Sequence, residues 1–328
     1  MAELRWNPLL RTWTMVAPGR QGRPIIEGNQ SGCPFCPGSG KVPDSYDVLA
    51  YDNDFPALSK DAPEPSSGSS LYRSAPAYGK CEVILYSPSH SATLAELPLQ
   101  QVRKLVDLWV ERSSALSSDR RVKYVFIFEN RGPEVGVTIH HPHGQIYAYP
   151  FVPLKIQTEL ESCLGHWRGT GKCLICDINR EERSSGVRVV YENEDFLGYI
   201  PFFTDYPYGL FLAPKEHLTF VTDLDGRARD SLALALRDTV GAFDLLFDRP
   251  FPYMMSFHQG PVNSPEYDGV RRYYHLHIEF YPPLRDADKI KFYASSEMGA
   301  WAACNPASVE ETAQKLRDAF VRFRSREG

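Results

Sequence analysis

Cysteine and histidine are the residues of this chain whose types and spacing could do chemistry. Four of the seven cysteines form two C-x-x-C pairs, Cys33/Cys36 in "CPFC" and Cys173/Cys176 in "CLIC". Thiols at that spacing hold a metal or run a redox couple. "SGCPFCPGSG" is wrapped in proline and glycine, which fits a zinc knuckle better than a redox motif opening a helix. Three of the nine histidines crowd into "TIHHPHGQIYAYP" as His140, His141 and His143, with Gln145 two residues further on. Near neutral pH an imidazole is mostly deprotonated, so it serves as a metal ligand or as a nucleophile.

The elements that must position these residues occur twice. Fifteen residues after Cys36 comes "YDNDF" at Tyr51, and fifteen after Cys176 comes "YENEDF" at Tyr191. Each copy then has an apolar strand ending in histidine, "CEVILYSPSH" at His90 and "YGLFLAPKEH" at His217. Apolar residues at helical spacing follow in "LPLQQVRKLVDLWVERSSAL" and "GRARDSLALALRDTVGAFDLLF". A second strand comes next, "YVFIFENRG" or "YMMSFHQGP", and each copy closes on H-x-H: His141 and His143, then His275 and His277. The pattern predicts an α+β fold made by internal duplication, with antiparallel sheet and packed helices, its halves spanning 1–155 and 156–328. Residues 60–80 form a Pro/Ser/Gly-rich loop in the first copy, and polar "REERSSG" interrupts the second. "SVEETAQKLRDAFVRF" reads as an amphipathic tail helix capped by Ser308, with Glu311 three residues on.

The repeat nominates ligands. Tetrahedral zinc takes four soft or borderline donors. Cys33, Cys36, His90 and His141 make one set, and Cys173, Cys176, His217 and His275 make its duplicate. The rival for the second site is Glu159, His258, His275 and His277, a donor set suited to Zn²⁺ or Fe²⁺. A nucleic-acid zinc ribbon needs its two pairs about 15 to 20 residues apart, and these pairs are far more widely separated. If His141 holds a metal, His143 lies on the same face of its strand, since residues two apart point the same way. That leaves His143 as the nucleophile on a stiff support.

The bulk composition narrows the partners. The chain has 328 residues, 43% of them hydrophobic, and a net charge of −5. That is enough for a substantial core and gives no basic field for nucleic acid. No run of 18 apolar residues predicts a membrane span, and the first 20 residues lack an apolar signal region. The expected compartment is the cytoplasm.

"FENRGPEVGVTIHHPHGQIYAYP", "CPFCPG", "YDNDFPAL", "CEVILYSPSHSATLAEL" and "YHLHIEFYPPLRDADKIKFYASSEMGA" together resemble the galactose-1-phosphate uridylyltransferases of the histidine-triad superfamily. The resemblance implies ping-pong exchange. His143 takes UMP from UDP-glucose and passes it to galactose-1-phosphate. It also implies zinc, one or two per chain with iron as an option at the second site, and a homodimer with active sites at the interface. Hydrolases of the superfamily carry His where Gln145 stands. Glutamine can only hydrogen-bond, so it can steady phosphoryl oxygens without assisting water. Glu279 fills the matching place in the second copy, where an anion would repel phosphate, so that half reads as non-catalytic. Arg20 and Arg23 resemble phosphate-binding arginines contributed across the dimer. Asn53, Asp54 and Phe55 resemble the uridine loop, Asn130 and Thr138 resemble phosphate contacts, and Lys291, Phe292 and Glu297 resemble the hexose-phosphate segment. Ser296 and Ala303 depart from a Tyr and a Gln familiar there, which loosens the sugar assignment. The competing readings are an ADP-sugar nucleotidyltransferase or phosphorylase and a non-catalytic nucleotide-binding protein. His140 and His166 receive no role.

Overall fold

The structure is a computed structural model that describes residues 2–22, 32–65 and 69–327. The chain opens on the hairpin β1 (Glu3–Asn7) and β2 (Thr12–Val16). The first half then supplies β3 (Leu49–Asp52), β4 (Ser74–Pro76), β5 (Lys80–Leu85), α1 (Leu99–Ser117), β6 (Tyr124–Arg131) and β7 (His143–Tyr149). The second half supplies α2 (Leu154–Thr170), α3 (Leu174–Ser185), β8 (Val189–Glu192), β9 (Phe196–Tyr199), β10 (Leu210–Pro214), α4 (Gly226–Asp244), β11 (Tyr253–His258) and β12 (His277–Tyr281). A small hairpin, β13 (Leu284–Asp286) with β14 (Lys289–Ile290), precedes α5 (Ser295–Ala300) and α6 (Val309–Glu327).

Nine strands form one antiparallel sheet in the order β3-β5-β7-β6-β11-β12-β10-β9-β8. The order reads outward from the β6–β11 seam as the same pattern twice, which is the duplication expressed in space. Across the seam Glu129 faces Met255 and Arg131 faces Tyr253. β1, β2 and β4 make a separate three-stranded sheet.

Strand periodicity decides which residues meet the site. Along β7, Ile146 and Ala148 enter the core beneath α1 and α4, while Gln145 and Tyr147 point to the other face with His143. β12 repeats this, with Ile278 and Phe280 in the core and His277 and Glu279 opposite. The helices present apolar stripes to the sheet: Val102, Leu105, Val106 and Trp109 from α1, and Leu232, Leu236 and Phe243 from α4. Trp109 is fully buried and meets Phe257 edge-on at 5.1 Å. No helix among the described residues is long and apolar enough to cross a membrane.

The expected tail helix forms, with Ser308 Oγ accepting from Glu311 N at 3.4 Å. Three local expectations change. Within the expected 60–80 loop, Ser74–Pro76 pair with β1 as β4. The polar "REERSSG" mostly completes helix α3, which ends on left-handed Gly186. β7 begins at His143, so His141 precedes the strand instead of sharing it. Pro142 between them has no N–H to give a sheet ladder.

Candidate functional site

The first Cys/His set comes together. Cys33, Cys36, His90 and His141 each offer a ligand atom, all within 4.8 Å of one another. The Cys33 and Cys36 sulfurs lie 3.9 and 3.6 Å from His141 Nδ1, and Cys36 Sγ lies 3.5 Å from His90 Nδ1. Tetrahedral zinc bonds of about 2.3 Å to sulfur and 2.0 Å to nitrogen imply sulfur–nitrogen edges of about 3.5 Å, so the donors fit that ion. His141 presents Nδ1 to the sulfurs while its Nε2 sits 2.8 Å from the Ser87 carbonyl and 3.1 Å from the Tyr46 hydroxyl. That outer contact fixes the tautomer of a ligating imidazole. Burial pushes the His141 pKa down to about 4, which keeps the ring neutral and able to ligate.

The duplicate set assembles in the same way from Cys173, Cys176, His217 and His275. Cys176 Sγ lies 3.1 Å from His217 Nδ1 and 3.2 Å from His275 Nδ1. His275 Nε2 rests on the Pro214 carbonyl at 3.0 Å, matching the His141–Ser87 contact. Cys173 is the N-cap of α3, so this pair does open a helix. The hydrogen bond from Cys176 draws the Cys173 thiol far below its usual range against burial, and His217 and His275 add to the pull. Two imidazoles converging on two sulfurs could hold a cation, where a redox pair would keep one thiol open.

The rival set is corrected. His275 faces the sulfurs, so it cannot join Glu159, His258 and His277; Glu279 takes its place. The two alternatives for the second site are therefore two separate clusters. His258 Nδ1 lies 3.0 Å from both Glu159 oxygens, and His277 Nε2 lies 3.2 Å from Glu279 Oε1. Lys155 from α2 donates to Glu279 at 2.6 Å. Burial opposes a charge on His277, yet Glu279 and Glu159 lift its pKa above the ordinary value. Two carboxylates and two imidazoles suit a harder cation than the Cys/His sets do.

His143 stands where β7 begins. Its Nδ1 meets the His141 carbonyl at 2.8 Å. A carbonyl only accepts, so Nδ1 carries the proton and Nε2 the lone pair. Phe35 packs between the two histidines, 5.4 Å from the His143 ring and 6.1 Å from the His141 ring. Gln145 follows on the same face. Its Oε1 accepts from Asn53 Nδ2 at 3.4 Å and from the Tyr147 hydroxyl at 3.2 Å. With the oxygen taken up on that side, the amide N–H groups are left to donate. Asn53 Oδ1 holds the Phe55 N–H at 2.9 Å, and Asp54 is engaged by Lys41 and Tyr51.

Two cavities meet at His143. One of about 280 Å³ is lined by Phe35, Tyr51, Asn53, Asp54, Phe55, Val83 and Gln145. The other, of about 530 Å³, is lined by Asn130, His140, Arg131, Glu134 and Arg249 among others. A slot for a flat ring beside a larger and somewhat more polar chamber, with an imidazole between them, suits a nucleotide whose phosphorus sits at His143. Thr138 Oγ1 is buried with no hydrogen-bond partner among the described residues, and Thr138 lines neither cavity.

Arg20 donates to the Phe55 carbonyl at 3.0 Å and to the Tyr147 hydroxyl at 3.2 Å. It thus reaches the pocket of its own chain, whereas the sequence resemblance places it across an interface. Arg23 lies outside the described residues. Lys291 and Glu297 pair at 3.2 Å, and Phe292 is 72% exposed. None of the three lines either cavity at His143. His140 is exposed at the rim of the larger cavity. His166 meets Asp177 at 2.8 Å and ties α2 to α3. Sequence reading missed Tyr147, which alternation from Gln145 could have flagged. It also missed Lys155 and Arg249, for which no local pattern exists.

Residues 1–153 match the galactose-1-phosphate uridyl transferase N-terminal domain family, and residues 159–319 match its C-terminal domain family. The chain is 40% identical over 322 residues to the galactose-1-phosphate uridylyltransferase of Thermotoga maritima, covering 98% of this chain and 99% of that protein. It is 32% identical to the Haemophilus influenzae enzyme of the same name, covering 95% and 93%. A solved uridylyltransferase superposes with a TM-score of 0.89 at 33% identity, covering 98% of this chain and 99% of that one. An ADP-glucose phosphorylase from Arabidopsis thaliana shares the fold, with a TM-score of 0.75 at 24% identity and coverage of 97% and 98%.

Proposed function

The chain belongs to the galactose-1-phosphate uridyl transferase family, and from that premise we propose how its residues carry the reaction. The enzyme exchanges UMP between UDP-glucose and galactose-1-phosphate. His143 Nε2 attacks the α-phosphorus of UDP-glucose. The bond from that phosphorus to the bridging oxygen breaks, and glucose-1-phosphate leaves. A phosphate oxygen of galactose-1-phosphate then attacks the same phosphorus, the N–P bond breaks, and UDP-galactose departs with the histidine restored. Neither leaving group needs a proton: glucose-1-phosphate departs as a phosphate anion, and His143 departs through Nε2 as a neutral imidazole because Nδ1 already carries the proton. The observation that carries the assignment is the His143 Nδ1 contact to the His141 carbonyl at 2.8 Å, which presents Nε2 as the nucleophile.

The remaining roles follow from position. Uridine occupies the smaller cavity against Asn53, Asp54 and Phe55, with Arg20 bracing that wall from the same chain. The Gln145 amide donates to a phosphoryl oxygen, and Asn130 and Thr138 hold the others. Zinc in the two Cys/His sets would fix both H-x-H segments, since four protein ligands leave no open position for substrate. Glu159, His258, His277 and Glu279 would hold a harder cation such as Fe²⁺, which leaves the second half structural. The halves divide at residue 155, in the first turn of α2, just after the short link from β7. The hexose segment at Lys291, Phe292 and Glu297 lies away from its own His143, beside exposed Met298 and Trp301. It therefore serves the pocket of a second copy in a homodimer. Seven cysteines without a disulfide, four of them in the zinc sets, fit the reducing cytoplasm.

The test is transfer itself. Enzyme charged with UDP-glucose should yield UDP-galactose with galactose-1-phosphate, and ADP-glucose should fail to charge it. Charging by ADP-glucose in preference would overturn the substrate assignment.

A further inference from the structure

Beneath the nucleophile, on the face of the sheet opposite its imidazole, lies a buried carboxyl that the transfer chemistry does not account for. Glu129 on β6 is 6% exposed. Its two oxygens accept from two tyrosines, Oε2 from Tyr86 at 3.0 Å and Oε1 from Tyr253 at 2.9 Å. Tyr86 follows β5 in the first half, and Tyr253 opens β11 in the second. Both are essentially fully buried. The charged group facing Glu129 on its own strand is Arg131, whose guanidinium is spent on Asp244 of α4 at 2.7 and 3.0 Å. Burial pushes the Glu129 pKa up to about 7, against the pull of Tyr253, Tyr86 and Arg131. A core position serving only stability would do as well or better with an apolar side chain.

Tyr86 explains what the carboxyl reaches. Its backbone N–H donates to the Pro142 carbonyl at 3.1 Å. Its hydroxyl lies against Gly144, where a Cβ would collide with it and would sit 3.0 Å from the Phe128 carbonyl. Tyr86 therefore grips the residues on both sides of His143, and Glu129 decides where its hydroxyl points. Glu129 also lines the larger cavity with His143 and Asn130.

We propose that Glu129 is a positioning residue for the transfer: as a carboxylate it accepts from Tyr86 and Tyr253 together, and through Tyr86 it fixes the Pro142–Gly144 backbone that aims His143. It is not a general acid, because the departing sugar phosphate takes no proton. Glutamine at 129 has one accepting oxygen where the carboxylate has two, so one tyrosine loses its acceptor and Gly144 loses its support.

The proposal rests on His143 as the nucleophile, and the experiment separates the two. Wild-type enzyme mixed rapidly with UDP-glucose should release a burst of glucose-1-phosphate, whose amplitude counts competent sites and whose rate constant reports the chemistry. Glu129→Gln should slow the burst about tenfold at saturating UDP-glucose, with its amplitude and half-saturating concentration unchanged. Tyr86→Phe should slow it by a similar factor, and the double variant should be no slower than the slower single one. An unchanged burst rate, a loss confined to amplitude, or losses that multiply in the double variant would overturn the positioning role. If Glu129→Gln does not fold, the burst rate of Tyr86→Phe decides alone. A wild type without any burst would overturn the transfer reading itself.

Discussion

Replacing Gln145 by glutamate tests the amide with no change of shape. The Gln145 oxygen is already held by Asn53 and Tyr147, and Arg20 stands behind Tyr147 at 3.2 Å. Those donors would hold a carboxylate oxygen as well, so the new side chain stays ionised and the fold should lose less than about 1 kcal/mol. The second oxygen then replaces the N–H group that, in the proposed mechanism, donates to the phosphoryl oxygens. Two like charges about 4 Å apart repel by about 4 kcal/mol at an effective dielectric constant near 20. Gln145 is only half-buried, so solvent reduces this, while the lost amide hydrogen bond adds about 1 kcal/mol. A net penalty of about 3 kcal/mol corresponds to a loss of roughly a hundredfold in kcat/KM. The assay is rapid-quench measurement of glucose-1-phosphate release over a range of UDP-glucose, alongside the thermal midpoint. A loss below about fivefold with an intact fold would refute the claim that the Gln145 amide contacts the phosphoryl group. The second half already carries Glu279 at the matching position, with Lys155 donating to it at 2.6 Å.

Gln145→His should raise UDP-glucose hydrolysis relative to transfer by about tenfold or more, read as free UMP against UDP-galactose, because imidazole can relay a proton to and from water where an amide cannot. Cys33→Ser/Cys36→Ser should remove one metal equivalent by elemental analysis and most of the burst, since that set anchors His141 beside His143. Cys173→Ser/Cys176→Ser should remove a different equivalent and lower the thermal midpoint while leaving the burst rate within about threefold.

Much of this was legible in the sequence because the chemistry repeats. Two C-x-x-C pairs, two strand-end histidines and two H-x-H segments in one order nominate both ligand sets, and the structure brings each set together. The strand expected over "HPHGQIYAYP" forms from His143 onward, but His141, expected to share its face with His143, precedes it. What spacing could not decide was the partner of His275. Residues two apart on a strand share a face, which allows His275 to join His277. β12 begins only at His277, however, and His275, in the irregular segment before it, faces the sulfurs. Lys155 reaches Glu279 across 124 residues, and such a contact leaves no periodic trace. Glu129 in "FIFENRG" looks like an ordinary polar residue at a strand end. Its burial follows from the β6–β11 seam, where the two halves close over it. The hexose segment lines neither cavity at its own His143, and the second copy proposed to receive it leaves no mark in a single chain's pattern.

The central claim is that His143 carries the nucleotide. The most direct measurement is the intact mass of the protein after UDP-glucose alone, followed by mapping of the modified peptide at neutral to alkaline pH, where a phosphoramidate persists. The account predicts a gain of one UMP per chain on His143, abolished in His143→Asn with metal content unchanged and discharged by galactose-1-phosphate. An unmodified protein that still exchanges sugars, or a nucleotide on any other residue, would contradict it.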